Sequence, residues 1–247
     1  MSLPLSQNQY QVRFDWGIEG ARTVAADVDV IVVVDVLSFT TMVGIALEYG
    51  IEVLPFDGTD AARYASEHAA VVAGKRGSPL SLSPASVGPE HAGTRVVVQS
   101  PNGSRISAAL RGDVPVVAGS LRNRSAVAEW VLARQAEKAN RLTVAVIASG
   151  EARGDGTSRF AVEDMLGAGA IIDALAEVGI DFCSPEAAAA SAAFTGLRNA
   201  IGHLVSASAS GKELEEWGFP QDVELASQVD SSTVVPVLRG DAFSITR

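Results

Sequence analysis

The stretch VDVIVVVDVLSFTT (residues 28–41), followed by MVGIALEYG (42–50), decides how this chain is read. Six of the seven residues at 28–34 are apolar, a pattern that suits a strand buried on both faces. The apolar run stops at Asp35, and a hydroxyl-rich turn follows with Ser38, Thr40 and Thr41. Met42, Ile45, Ala46 and Tyr49 then recur at helical spacing, and Gly50 suits a helix C-terminus. An acid at the carboxyl end of a core strand, facing the start of a helix, is where open α/β sheets place ligands. Helix N-termini favour anions there. The same pattern also fits Asp35 as a plain helix cap.

Working outward, the unit recurs. Strands are expected at 10–15, 51–55, 70–73, 95–98, 114–118, 142–147, 223–226 and 234–238. Helices are expected at 59–68, 105–110, 126–140, from the 160s to about 179, and at 185–197, 202–208 and 212–217. Residues 17–20 read as a turn. Residues 74–90 are rich in Pro, Gly and Ser and read as a long, candidate functional loop. Strand–turn–helix alternation without a linker predicts one α/β domain over residues 1–247, with a largely parallel or mixed sheet.

With 247 residues, 47% of them apolar, the chain buries about three quarters of its unfolded surface. No apolar run spans a membrane and no secretory leader is visible, so a cytoplasmic location is the expectation. One cysteine, Cys183, excludes an internal disulfide. The net charge of −10, without a Lys/Arg cluster, argues against nucleic acid as a partner. Among three histidines there is no HxH or HExxH spacing, and neither a Gly-x-Ser-x-Gly elbow nor a Walker loop occurs.

Four strand-end turns carry complementary polar groups. The first holds Asp35, Ser38, Thr40 and Thr41. The second holds Gln99, Ser100, Asn102, Gly103, Ser104 and Arg105. The third holds Ser120, Arg122, Asn123, Arg124 and Ser125. The fourth holds Ser149, Gly150 and Glu151 and leads to Glu163 and Asp164. Each has a structural reading: Pro-Asn-Gly-Ser is a turn signature, the serines suit caps, and acids suit a helix start. Together, amides, hydroxyls, arginines and carboxylates suit a phosphate with a hard divalent cation such as Mg²⁺.

The ordered blocks VVVDVLSFTT, GKRG, QSPNGSR, GSLRNRSAVA, ASGE and RFAVEDMLGAGAI resemble the 2-phosphosulfolactate phosphatases, Mg²⁺-dependent enzymes of coenzyme M biosynthesis. The resemblance continues weakly through GKELEEWGFPQDVELASQVDSSTVVP and so covers most of the chain. It implies a three-layer α/β/α fold with two intertwined, similar halves, and hydrolysis of the phosphate ester of a small acid. It also implies Asp35, Glu163 and Asp164 as the metal-binding acids and Asn102-Gly103-Ser104 as a phosphate cradle. Where the family reads Asp-Val-Leu-Arg-Ala-Ser-Thr this chain has Ser38-Phe39, and where it reads Gly-Glu-Arg-Gly this chain has Lys75-Arg76. Lys75 is a candidate to supply the cation missing at position 38.

The expectation is therefore a Mg²⁺-dependent phosphatase acting on a small phosphorylated hydroxy acid, with a homodimer left open as its oligomeric form. Asp35, Thr40, Thr41, Asn102 and Ser104 are the catalytic candidates. Ser38, Lys75, Arg76, Gly103, Arg105, Arg122, Asn123, Ser149 and Gly150 are the substrate-binding candidates. A catalytically silent anion binder and a non-hydrolytic enzyme using the same pocket are the alternatives.

Overall fold

In the computed structural model, residues 4–153 and 157–245 are described. In chain order they form β1 (Val12–Trp16), α1 (Gly17–Val24), β2 (Val30–Val34), α2 (Phe39–Glu48), β3 (Glu52–Pro55), α3 (Ala61–Glu67) and β4 (Val71–Val72). Next come β5 (Arg95–Val98), α4 (Gly103–Ala109), β6 (Val116–Gly119), α5 (Arg124–Ala136), β7 (Val144–Ala148), β8 (Glu151–Ala152), β9 (Ser158–Arg159) and α6 (Val162–Glu177). The chain continues with α7 (Pro185–Leu197), α8 (Ile201–Ala207), α9 (Ala209–Glu216), α10 (Pro220–Ala226), β10 (Pro236–Arg239) and β11 (Ala242–Ile245).

Nine strands make one mixed sheet in the order β1-β7-β2-β6-β10-β11-β3-β5-β4. The first four pair in parallel, as do β3, β5 and β4. The β10–β11 hairpin joins these two groups through antiparallel pairings on each side. The chain starts in the first group, crosses to the second for β3–β5, and returns for β6 and β7, so the two groups are interwoven. Three antiparallel steps reverse the direction, so the groups run opposite ways along the sheet. Five strand intervals of twist turn β5 by roughly 100–125° relative to β2, which lets their carboxyl ends converge.

Helices cover both faces, giving the three-layer α/β architecture. α5, α6, α7 and α8 pack with Val30, Val32, Val34, Val144 and Val146 in one core cluster. On the other face Ile31, Val33, Ala145 and Ile147 meet α1, α2 and α4 in a second cluster. Alternate residues of β2 and β7 thus feed opposite cores, as period-2 strands buried on both faces must. α2 lies across β6, β10, β11 and β3, and all its residues from Phe39 to Leu47 are buried. A helix apolar all round has to be enclosed in this way.

Two expected elements are corrected. Residues 17–20 are the first turn of α1, because Gly20, Ala21 and Val24 form a buried helical face. A Cβ at Gly20 would fall 2.7 Å from Asp15 Cγ, so the smallest residue lets this helix lie against β1. Residues 223–226 belong to a helix, α10, because Pro220 presets its first turn and Val223 and Ala226 share one buried face. β11 gave no strand signal in the sequence; the hairpin turn at Gly240-Asp241 separates it from β10. None of the described helices is long and apolar enough to cross a membrane.

Candidate active site

β2 leads directly into Asp35, a buried acid whose backbone is fixed by its own turn. Thr40 Oγ1 donates to Asp35 O (2.9 Å) and accepts from Asp35 N–H (3.0 Å), while Thr41 Oγ1 donates to Val36 O (2.8 Å). With the backbone held, the Asp35 carboxylate reaches the turn after β5. Its Oδ2 accepts from Gly103 N–H (2.7 Å) and from Ser100 Oγ (3.4 Å). Its Oδ1 meets only a long contact from Phe39 N–H, 3.4 Å.

A second acid ties the fourth turn to the first. Asp164, in the first turn of α6, accepts from Val36 N–H through Oδ1 (2.8 Å) and from Gly150 N–H through Oδ2 (2.9 Å). Gly150 sits at φ +64°, a conformation glycine adopts at low cost. Asn102 closes the far side: its Nδ2 donates to Glu151 Oε1 (3.0 Å) and its Oδ1 accepts from Ala152 N–H (2.9 Å). Glu163 is buried with Oε2 unpartnered, and Ser149 Oγ is also buried without a partner.

Crowding of these acids shows in their protonation. Burial, with the charges of Glu151 and Glu163, pushes Asp35 up to about 6 despite the opposing Gly103 bond. Burial, then Asp35 and Glu163, lifts Asp164 well above the usual carboxylate range. Glu151 is raised chiefly by burial, opposed by its bond from Asn102. These shifts mark a site that concentrates negative charge.

A cleft of about 220 Å³ opens over Asp35, lined also by Ser38, Arg76, Ser100, Asn102, Glu151, Glu213 and Trp217. Of the sequence candidates, the structure brings Asp35, Ser38, Arg76 and Asn102 to this cleft, with Gly103, Gly150 and Asp164 bonded directly behind it. Other candidates are committed elsewhere. Thr40 and Thr41 shape the Asp35 turn from within, and Ser104 Oγ donates to Val98 O (2.7 Å) and accepts from Phe56 N–H (3.0 Å). All three hydroxyls are fully buried, so they hold backbone rather than face a ligand.

The third turn does not join the cleft. Arg122 bonds Leu225 O and Gln228 Oε1 and pairs with Glu48 at 3.3 Å, while Asn123 bonds Ala118 O and Val234 O. Arg105 pairs with Asp57 at 3.5 Å and lines a neighbouring 470 Å³ pocket that also contains Ser149. Lys75 is exposed and does not line the cleft; Arg76 reaches Ser38 Oγ instead, at 2.8 Å. The cation beside position 38 therefore comes from the residue after the one expected. Glu213, Trp217 and Asp222 escaped the sequence reading, because a polar helix far along the chain gives no sign of where it docks. Cys183 is half-buried beside Val12, its thiol raised by burial.

Comparison with known proteins fits this arrangement. The 2-phosphosulpholactate phosphatase family profile matches residues 20–241. A 2-phosphosulfolactate phosphatase of Methanothermobacter thermautotrophicus is 32% identical over 213 residues, covering 84% of this chain and 86% of that one. A probable 2-phosphosulfolactate phosphatase of Synechococcus sp. WH7803 is 32% identical over 221 residues, with 84% and 86% covered. One from Caldanaerobacter subterraneus is 30% identical over 222 residues, with 85% and 87% covered. With matches of that extent, the chain belongs to the 2-phosphosulfolactate phosphatase family of phosphoric monoester hydrolases.

Proposed function

We propose that this protein is a Mg²⁺-dependent phosphatase that cleaves the phosphate ester of a small hydroxy acid of the 2-phosphosulfolactate type. The observation that carries the reading is Asp35: a buried carboxylate at the floor of a cleft, held by Gly103 through one oxygen and left nearly free at the other. Asp35 is the reacting carboxylate. Without a cation it titrates at about 6, and a bound cation would keep it ionised, as a base or a metal ligand requires. In hydrolysis the ester P–O bond breaks, water supplies a hydroxyl to phosphorus, and the leaving oxygen takes up a proton. Asn102 holds Glu151 at the wall, and Arg76 adds a positive group to the lining that also contains these acids.

The donor set fits a hard cation. Asp35, Glu151, Glu163 and Asp164 supply only oxygens, and the orphaned Glu163 Oε2 is a buried acceptor in need of a positive partner. Among the described residues no three acids, histidines or cysteines converge into a ready cage. Mg²⁺ does not require one, since it usually keeps waters and takes one or two carboxylates plus substrate phosphate. Asp35 and Glu163 would hold it, whereas both oxygens of Asp164 are already engaged by Val36 and Gly150. When bound, the ion would polarise the phosphoryl group and offset leaving-group charge.

The test is phosphate release from 2-phosphosulfolactate with and without Mg²⁺. Turnover that appears with Mg²⁺ and vanishes on chelation supports the reading, and Glu163→Gln is expected to weaken Mg²⁺ activation by about tenfold or more. Full turnover in excess chelator removes the metal from the proposal. Binding of the ester with no phosphate released, followed by ³¹P NMR, indicates a silent binder instead.

Gly103→Ala offers a separate check on the cradle. A Cβ there would lie 2.6 Å from both Asp35 Oδ2 and Phe39 Cδ1, so the carboxylate must move. Displacement of a reacting group by about 1 Å is expected to cost on the order of 100-fold in kcat. Steady-state kinetics on the folded variant, its fold checked by circular dichroism, measure this; an unchanged kcat removes Asp35 from the reacting role.

A further inference from the structure

Arg76 is the single cationic side chain among the described residues lining the cleft, where Asp35, Glu151 and Glu213 are also found. Its position is set from outside its own loop. Nη1 pairs with Asp222 of α10, Nη2 donates to Ser38 Oγ at 2.8 Å, and the guanidinium carbon lies 5.7 Å from the Phe219 ring centre. Two of the five N–H donors of an arginine are thereby used and three remain for a ligand. A planar fork with free donors suits a carboxylate or sulfonate better than a point charge does.

Asp222 is fully buried and does not itself line the cleft. Its other oxygen accepts from Ser83 Oγ (2.5 Å) and from Ala85 N–H (3.0 Å). One carboxylate from a late helix therefore grips three points of the 74–90 loop. A buried charge is costly unless it is paired and hydrogen-bonded, and here every contact fixes the loop that carries Arg76.

Resting on the phosphatase reading above, we propose that Asp222 is a positioning residue that aims Arg76 at the non-transferred acid group of the substrate. The phosphoryl end faces Asp35, and Arg76 reads the acid on the other end. Asp222 touches no substrate atom and acts through Arg76 alone.

The experiment compares 2-phosphosulfolactate, which carries such acid groups, with p-nitrophenyl phosphate, which carries none, both with Mg²⁺. Asp222→Asn is expected to raise KM for 2-phosphosulfolactate by about tenfold or more while kcat and the KM for p-nitrophenyl phosphate stay within about twofold. The Arg76→Ala/Asp222→Asn double variant is expected to match Arg76→Ala alone, because the second change removes a support whose load has gone. Equal losses on both esters, or additive losses in the double variant, overturn the proposal in favour of a general structural role. Wild-type turnover of p-nitrophenyl phosphate but of no acid-bearing ester also overturns it while leaving the phosphatase reading intact. Turnover of no ester at all ends both. Where Asp222→Asn fails to fold, Arg76→Lys takes its place, since an ammonium keeps the charge but lacks the planar fork whose two nitrogens reach Asp222 and Ser38. An unchanged KM for 2-phosphosulfolactate in that variant overturns the proposal.

Discussion

Asp35→Asn is expected to abolish turnover and at the same time make the metal-free protein more stable. The loss in kcat is expected to reach about 10³-fold, within the range for removing a positioned proton-transfer group. The gain in stability follows from linkage. Burial raises Asp35 from 3.8 to about 6, so the folded protein binds the proton more tightly than the unfolded chain does. Its favourable contribution is present below the unfolded value and is lost as pH rises from about 4 through 6. At pH 8 the penalty applies in full. Asparagine removes that penalty and still accepts from Gly103 N–H through its amide oxygen. Thermal melts in chelator at pH 5 and pH 8 give the measurement. The wild type is expected to lose stability over that interval, and Asp35→Asn is expected to lose less and to melt higher at pH 8. A variant that melts lower than wild type at pH 8 would show that the Asp35 carboxylate is a net support of the fold.

Gly169→Ala is expected to disturb folding strongly, and more than the same change at Gly167, the other glycine of α6. A Cβ at this position would fall 2.1 Å from Ala190 O and 2.8 Å from Ala190 C, both backbone atoms of α7. Side chains can rotate out of the way, but a helix backbone can yield only by moving as a body. Overpacking of this kind costs about 3 kcal/mol or more, a large share of a domain's 5–15 kcal/mol. α6 also carries Glu163 and Asp164 at its first turn, so a shifted α6 disturbs the Val36 and Gly150 contacts as well. Urea unfolding of Gly169→Ala beside Gly202→Ala, whose Cβ meets nothing within 4 Å, isolates the clash from the general change in helix propensity.

The parts of the fold written locally were legible in advance. β2, β5, β7 and α7 follow from apolar runs, turn residues and a proline at a helix start, all of which act within a few residues. α10 and β11 were not. Val223–Ala226 holds three apolar residues around Glu224, a pattern that strand and helix share, and β11 has no signal until β10 and β3 flank it. Asp35 and Asn102 were visible as polar breaks at strand ends. Thr40, Thr41 and Ser104 looked equally suitable, because a sequence does not reveal whether a hydroxyl points at a ligand or back at its own turn. Lys75 and Arg76 are adjacent cations, and only the docking of α10 distinguishes them: Asp222 pairs with Arg76 and leaves Lys75 in solvent.

The β10–β11 hairpin fixes a timetable for assembly. Residues 236–245 follow every other described strand in the chain, yet they fill the middle of the sheet. During synthesis the two parallel groups can each begin to collapse, but they share no strand pairing until the hairpin emerges. Asp35 belongs to one group and Gly103 follows a strand of the other, so their bond spans the seam. The cleft is thus among the last features to form, and a chain stopped short of residue 236 would hold every site residue named above but lack the strands that join the two groups into one sheet.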